Sequence, residues 1–79
     1  MHGMDLRALE IFRTVALEGS VSKAAVRLNR VQSNISTRIK QLEQHLRTPL
    51  FLRRNRGLML TPEGRRLLPY AERLLQLSR

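Results

Sequence analysis

The sequence predicts a mainly α domain, in which three helices are followed by a short two-stranded hairpin and a long fourth helix. Apolar residues recur at helical spacing in four segments, and an Arg-rich turn lies between two short apolar runs. Gly, Asn and Pro residues separate the segments. At 79 residues the chain is long enough for one domain. Such a domain buries only about 60% of the surface that its unfolded chain exposes, so we expect modest stability.

The chain is strongly basic, with 15 Lys and Arg residues against 6 Asp and Glu residues and a net charge of +9. Thirteen of the basic residues are Arg, whose planar guanidinium group suits bidentate contacts with phosphate. The absence of Cys excludes disulfides and thiolate zinc sites. An anionic membrane is a weaker candidate, because membrane-surface helices use aromatic anchors and the chain has one Tyr, two Phe and no Trp. Single-stranded nucleic acid is a weaker candidate for the same reason, because its binding uses aromatic side chains on which the bases stack.

No apolar run is long enough for a membrane span or the core of a signal peptide, so we expect a cytoplasmic protein. The first predicted helix begins near Asp5, a favoured N-cap residue, and ends at Gly19, which can adopt a positive φ without strain. The second begins at Ser20 or Ser22 and stops around Asn29, which also tolerates the left-handed conformation.

The stretch from Val31 to Leu46 predicts an amphipathic third helix. At about 100° per residue, its apolar side chains form one narrow stripe: Ile35, Ile39, Leu42 and Leu46. The opposite face holds hydroxyls, amides and one ammonium group but no acid: Ser33, Thr37, Lys40, Gln41 and Gln44. Such groups hydrogen-bond to base edges and phosphates, although an ordinary surface helix of moderate polarity is the alternative. A short helix, a turn and a longer helix with this outer face form a helix-turn-helix arrangement.

Pro49 ends the third helix, and a small β-hairpin is predicted after it. Two apolar runs, 50–52 and 58–60, flank an Asn-Arg-Gly turn in which Asn55 and Gly57 are expected to supply positive φ values. Three Arg residues lie at its tip, at positions 53, 54 and 56. Such a hairpin after a helix-turn-helix is a wing, which makes the predicted fold a winged helix-turn-helix. The alternative is a solvated charged loop.

The fourth helix has a strong start signal, with Thr61 as N-cap, Pro62 at the first helical position and Glu63 in the first turn. Pro69 lies on the polar side, so we expect a kinked but continuous helix. Its apolar stripe contains Leu67, Leu68, Ala71, Leu74, Leu75 and Ser78. A helix of this length extends roughly 27 Å, more than a small body covers. A second copy of the helix is the simplest partner, and packing on the first helix is the alternative.

These segments, in this order, resemble the LysR-type transcriptional regulators. MDLRALEIFRTVALEGSVSKAAVRL is similar to the opening helices of that family, QSNIS followed by IKQLE to its recognition helix, PLFLRR to the start of its wing, and LTPEG to the start of its linker helix. The resemblance implies a winged helix-turn-helix that dimerises through the linker helix. Full-length members add an effector-binding domain, so we expect a DNA-binding fragment, with a small-molecule effector bound only by a full-length protein.

Under this interpretation residues 1–4 are an N-terminal extension, residues 5–60 the winged helix-turn-helix and residues 61–79 the linker and dimerisation helix. Two positions depart from the family pattern. Arg30-Val31 stands where the family often has Val-Ser, which removes a usual Ser cap and adds a phosphate candidate. Ser36-Thr37 stands where Ser-Arg is common, and the arginine comes one place later, at Arg38, on a flank of the helix.

The expected partner is double-stranded DNA with an interrupted palindrome, bound by a homodimer. We expect base contacts from Gln32, Ser33, Ser36 and Thr37. Expected contacts with the DNA backbone come from the second helix, the third helix and the wing: Ser22, Lys23, Arg30, Arg38, Lys40, Gln41, Arg53, Arg54 and Arg56. Ser20 is a further phosphate candidate. The expected dimer interface consists of Leu67, Leu68, Ala71, Leu74 and Leu75.

A protein–protein interaction module that uses the Leu-striped last helix is the rival interpretation. An enzyme is disfavoured, and we expect neither a cofactor nor a metal. His2 and His45 are far apart in the sequence and form no ligand cluster. Glu43 is interpreted as a helix-flank charge and Glu63 as a first-turn acid.

Overall fold

The structure, a computed structural model, describes residues 4–55 and 57–78. This part of the chain contains four helices and two strands: α1 (Leu6–Glu18), α2 (Val21–Leu28), α3 (Gln32–Leu46), β1 (Phe51–Arg54), β2 (Gly57–Leu60) and α4 (Pro62–Leu77). The two strands form an antiparallel hairpin. The predicted winged helix-turn-helix followed by a long helix is confirmed.

Polar side chains begin three of the four helices in the described residues. Asp5 caps α1, Ser20 caps α2 and Thr61 caps α4, in agreement with the prediction. The N–H groups that donate to these caps belong to Ala8 at 2.8 Å, Lys23 at 3.2 Å and Gly64 at 3.0 Å, respectively. Helix α3 begins differently, because its N-cap residue Val31 has no side-chain acceptor. The missing cap that the sequence indicated is therefore confirmed.

Left-handed residues end the first three helices. Gly19 has a φ of 67° after α1, Asn29 a φ of 56° after α2 and Arg47 a φ of 57° after α3. The predicted ends at Gly19 and Asn29 are confirmed. Among residues 4–55 and 57–78, these three are the residues with a positive φ. Asn55 and Gly57 are not among them. The predicted positive φ at those two positions is therefore wrong.

Gly57 is required for a close approach rather than for the turn. It lies opposite Arg54 in the hairpin register, so it belongs to strand β2. A Cβ atom at Gly57 would lie 2.5 Å from the carbonyl oxygen of Gly19. The same carbonyl accepts a 3.0 Å hydrogen bond from the N–H of Leu58. The wing is therefore fixed to the turn between α1 and α2.

Helix α1 lies at the centre of the core, in contact with α2, α3 and α4. The helical spacing of its apolar residues predicts an inward arc of Ala8, Leu9, Phe12, Val15 and Ala16. Of these only Ala16 is half-buried instead of buried, and burial extends to Ile11 and Thr14. The arc is wider than its sequence indicates because other helices pack on several sides of α1. The ring of Phe12 lies 5.5 Å from that of Phe51 in β1, which packs the root of the wing on α1.

Hydrogen bonds join the root of the wing to α3 and α4. We refer to the residues that form them as the wing joint: residues 43, 49–51, 61 and 64. Glu43 accepts hydrogen bonds from the N–H groups of Leu50, at 2.7 Å, and Phe51, at 3.3 Å. The hydroxyl of Thr61 donates to the carbonyl of Pro49 at 2.8 Å. Glu43 is thus more than the flank charge that the sequence predicted, because it holds the chain that enters β1.

Gly64 brings α4 against the same joint. A Cβ atom there would overlap the carbonyl oxygen of Leu50 and lie 2.9 Å from a methyl carbon of Leu60. The N–H of Thr61 donates to that Leu50 carbonyl at 2.9 Å. Only a glycine lets the first turn of α4 lie this close to the backbone of residue 50.

The apolar stripe of α4 is divided between the core and the surface. Ala71 is 0% exposed and Leu75 is 5% exposed within one protomer. These two predicted dimer residues therefore pack inside the protomer, partly as the alternative interpretation expected, and have almost no surface to offer a partner. Leu67 and Leu68 are partly buried, whereas Leu74 is 44% exposed and Leu77 is 78% exposed.

Helix α4 also contacts α1 through an ion pair of 3.4 Å between Arg13 and Glu72. The helix runs through Pro69 without interruption, which confirms the predicted continuity, whereas the kink expected there stays a prediction. In the described ranges, no helix combines the length and the apolar character needed to cross a membrane.

Candidate nucleic-acid interface

The outer face of α3 carries the polar side chains that the sequence singled out. The exposed residues of this helix, all of which the structure describes, are Gln32, Ser33, Ser36, Thr37, Lys40, Gln41, Gln44 and His45. None of them is acidic. The single acid of the helix, Glu43, is half-buried and directed to the wing joint. The exposed face therefore offers hydrogen-bonding groups and positive charge without a competing carboxylate.

Three separate segments of the chain surround one open cleft of about 510 Å³. Helix α2 contributes its start, α3 its first turns and the wing its tip. The cleft is lined by Ser20, Val21, Ser22, Gln32, Ser36, Arg53, Arg54, Asn55, Gly57 and Leu58. The fold thus brings together candidates from α2, α3 and the wing that are distant in the sequence. Arg56, a further candidate, lies outside the described residues.

At the start of α2, one hydroxyl is committed to the helix and the neighbouring groups are exposed. The oxygen of Ser20 accepts the N–H of Lys23 and shares a 3.0 Å hydrogen bond with the hydroxyl of Ser22. Ser22 and Lys23 are exposed at this end. Ser20 therefore acts first as a cap, and Ser22 and Lys23 supply the outward polar groups.

Arg38 is placed differently from the other candidates. Its Nη2 lies 3.6 Å from Oδ1 of Asp5, its side chain is 26% exposed, and its Nε is buried without a hydrogen-bond partner among the described residues. The sequence predicted a flank position with a contact to the DNA backbone. The flank position is confirmed, but the guanidinium faces the start of α1 and bridges two helices instead of lying on the exposed face.

The carboxyl group of Asp5 has two functions at this junction. The hydrogen bond from the N–H of Ala8 lowers the pKa of Asp5 below its ordinary value, and the positive charges of Arg38 and Arg7 act in the same direction. Burial opposes this shift. The carboxylate that caps α1 is therefore also the one that holds Arg38 of α3.

Arg30 forms a contact that the sequence analysis missed. Its Nη1 donates a 2.8 Å hydrogen bond to Oδ1 of Asn34, and both residues are half-buried. Arg30 lies in the turn before α3, directly before the extended N-cap residue Val31, and its side chain reaches forward to the first turn of the helix. Because Arg30 precedes the helix, helical spacing gave no signal for pairing it with Asn34.

No metal centre competes with this interpretation in the part of the chain that the structure describes. Among residues 4–55 and 57–78, no group of three or more His, Cys, Asp or Glu side chains could hold a metal ion.

The fold and this surface define the class of the protein, a winged helix-turn-helix whose second motif helix exposes an acid-free polar face beside a basic hairpin. Residues 6–65 match the family described as "Bacterial regulatory helix-turn-helix protein, lysR family". The chain belongs to this family, which confirms the resemblance noted in the sequence.

Relatives of known name are similar over nearly the whole chain. The HTH-type transcriptional regulator CzcR of Bacillus thuringiensis subsp. konkukian (strain 97-27) is 60% identical over 73 residues, which cover 92% of this chain and 25% of the relative. The HTH-type transcriptional regulator GltR of Bacillus subtilis (strain 168) is 50% identical over 72 residues, covering 91% of this chain and 24% of the relative. The chain thus spans about a quarter of the length of these relatives.

Two solved structures show how closely the fold agrees. The crystal structure of a CbnR DBD–DNA complex superposes with a TM-score of 0.91 at 37% identity, covering 95% of this chain and 86% of that one. The crystal structure of a BenM DBD/benA site 1 DNA complex superposes with a TM-score of 0.90 at 39% identity, covering 95% of this chain and 84% of that one.

Proposed function

We propose that this chain binds double-stranded DNA selectively by sequence, as a dimer, and forms the DNA-binding part of a bacterial transcription regulator that acts in the cytoplasm. One observation carries the proposal: the acid-free face of α3 borders a cleft that also contains the start of α2 and two wing arginines. The similarity to the CbnR and BenM structures, each named as a DNA complex, supports it.

In the proposed complex, α3 enters the major groove, which is wide enough to admit a helix. Gln32, Ser33, Ser36 and Thr37 then meet base edges. The amide of Gln32 can donate to and accept from adenine at the same time, and the methyl group of Thr37 can contact the methyl group of thymine. These four exposed side chains are the proposed source of sequence selectivity.

The flanking residues hold the DNA backbone in this proposal. Lys23 and Ser22 at the start of α2 and Lys40 and Gln41 on α3 face the phosphates beside the groove. Arg53 and Arg54 on β1, with Arg56 from its place in the sequence, reach phosphates or the adjacent minor groove. Phosphate contacts position the protein without reading the sequence, so they contribute affinity and not selectivity.

The proposed division of the chain follows the prediction, with an extension at residues 1–4, a winged helix-turn-helix at 5–60 and a linker and dimerisation helix at 61–79. Leu74 and Leu77 support the last assignment, because these large apolar side chains are exposed on one protomer. Two copies joined there would present two α3 helices to one duplex, which dictates an interrupted palindrome as the target.

The dimer proposal has a direct test. We expect Leu74→Asp to convert a dimer into a monomer, because the new charge would be buried in the contact. Light scattering measures the mass of both forms. Gln76→Asp is the matched control, since it adds the same charge at an exposed position of the same helix. An unchanged mass of the Leu74→Asp variant contradicts dimerisation through α4.

Duplex titration at rising salt tests DNA binding itself. We expect the logarithm of the binding constant to fall linearly with the logarithm of salt concentration, by about 0.9 for each phosphate contact. An absence of binding, or binding that ignores ionic strength, would favour the rival interaction module.

The proposed activity is binding without catalysis. The relatives that match are named as transcriptional regulators. In a full-length protein of this family, a further domain would bind a small-molecule effector, and this chain would supply the contact with DNA.

A further inference from the structure

Arg30 lies directly before Val31, the N-cap residue of α3, at the edge of the proposed DNA-binding face. Its Nη1 donates to Oδ1 of Asn34, in the first turn of α3, over 2.8 Å. Because a guanidinium group only donates hydrogen bonds, this contact assigns the amide oxygen of Asn34 to the side that faces Arg30. Both residues are half-buried, so the guanidinium is held at this edge of α3 in the unbound protein.

Arg30 differs from the paired arginines in the charge of its partner. In the described ranges, the arginines with a carboxylate partner are Arg13, Arg27, Arg38 and Arg66. The partner of Arg30 is a neutral amide, and the first turn of α3 contains no acid. The side chain is thus oriented without being neutralised, and its remaining N–H donors are available to an anion.

We infer that Asn34 is a positioning residue for DNA binding, which holds the guanidinium of Arg30 against a backbone phosphate beside the groove that α3 enters. The inference rests on the proposed function and adds a residue that the predicted site lacked. A long side chain normally loses rotamer freedom when it is immobilised at an interface. Because the hydrogen bond to Asn34 already restricts the Arg30 side chain in the unbound protein, less rotamer freedom is lost on binding.

Asn34 does not act as a base reader in this arrangement. Bidentate recognition of adenine requires that the carbonyl and the amino group of an Asn both face the base. The carbonyl of Asn34 faces Arg30 instead. Its contribution therefore passes through Arg30, and it should be the same for every DNA sequence.

A double-mutant cycle tests the inference with Arg30→Ala, Asn34→Ala and the double variant. The probes are a duplex selected from a random pool by the wild-type chain and an unselected duplex of equal length. We expect Asn34→Ala to weaken binding of both probes about 2- to 10-fold. Arg30→Ala should weaken both probes and flatten the salt slope by about 0.9 for each phosphate that the variant no longer neutralises. Adding Asn34→Ala to Arg30→Ala should cause no further loss of affinity.

Lys40→Ala supplies the matched control. Lys40 is an exposed phosphate candidate on the same helix, so the effects of removing it and Asn34 should be additive. Asn34→Ala losses of equal size with and without Arg30 would overturn the inference. A loss confined to the selected duplex would also overturn it, because it would make Asn34 a base reader. If the wild-type chain bound neither duplex, the proposed function would fail and this inference with it.

Thermal melting checks that the variants fold. We expect Asn34→Ala to fold, because Ala has a higher helix propensity than Asn. Asn34→Asp provides a second readout. Its carboxylate would still hold the guanidinium but would neutralise it, and an acid in the first turn stabilises a helix. We expect unchanged or higher thermal stability together with a salt slope as flat as that of Arg30→Ala. An unchanged salt slope would contradict the inference.

Discussion

The outer face of α3 and the wing joint use similar polar groups in opposite ways. On α3, the side chains of Gln32, Ser33, Ser36 and Thr37 are exposed. At the joint, Glu43 and Thr61 each hold backbone groups of neighbouring segments. Satisfied internal groups contribute to stability, whereas exposed groups are available to a partner. Substitutions at the joint should therefore lower stability, and substitutions on the face should lower binding while leaving stability unchanged.

The largest effect is expected at Gly64 of the joint. Gly64→Ala should lower the free energy of unfolding by about 3 kcal/mol or more, because the new methyl group meets backbone and not a flexible side chain. Chemical denaturation measures this change. Gly19→Ala is the matched control: a Cβ there would lie an ordinary 3.8 Å from its neighbour, and only the positive φ of 67° opposes it. Its cost should be about 1 to 2 kcal/mol. Equal costs would contradict the clash at Gly64.

Gln32 tests the other side of the comparison. Gln32→Ala should weaken binding of the selected duplex by about 1 to 3 kcal/mol and relax preference at one or two base pairs. Its free energy of unfolding should change by less than about 0.5 kcal/mol, because the side chain is exposed. Arg54→Ala should instead weaken every sequence alike and flatten the salt slope. Uniform losses in both variants would contradict base reading by Gln32.

Glu43 sharpens the comparison, because it shares a helix with the exposed face but belongs to the joint. Glu43→Gln should lower the free energy of unfolding by about 1 kcal/mol, since a carboxylate accepts the two N–H groups more strongly than an amide does. Urea denaturation measures the change. Gln44→Ala, at the next and exposed position, should have almost no effect. Unchanged stability of the Glu43→Gln variant would remove Glu43 from the joint.

The smallest effect concerns the pH dependence at Asp5. Because the folded-state pKa of Asp5 lies below 3.8, its carboxylate stabilises the fold above that pH, and the contribution is lost as pH falls through the lowered value. Asn is also a good N-cap, so Asp5→Asn keeps the cap and removes the charge. We expect the variant to be slightly less stable than wild type near neutral pH and equal to it in acid. Urea midpoints at several pH values measure the difference, and a gap that persists in acid would contradict the role of the charge.

Local signals in the sequence predict most of the fold. As helix caps, Gly19, Asn29, Ser20 and Thr61 act on residues within a few positions of themselves, and each occupies the predicted cap. This capping role needs no knowledge of the rest of the chain. The exposed face of α3 is predictable for the same reason, because the helical periodicity of its own residues separates a polar side from an apolar stripe.

Three of the errors involve contacts between distant segments. The sequence pattern assigns Gly57 to the turn, yet its small size serves an approach to Gly19 across the fold. The pattern assigns Arg38 to a DNA contact, but its guanidinium lies beside Asp5. This proximity depends on how α1 packs against α3, which local sequence signals do not reveal. The pattern assigns Ala71 to a dimer because an apolar stripe does not reveal which part of it faces the molecule's own core.

The wing is fastened both at its root and beside its turn, where Gly57 and Leu58 lie against Gly19. The N–H of Leu58 bonds to Gly19, and that of Thr61 bonds to Leu50. Between these anchors, residues 52–55 and 59 are exposed. The exposed side chains between these anchors can therefore be exchanged without disturbing the packing of the body.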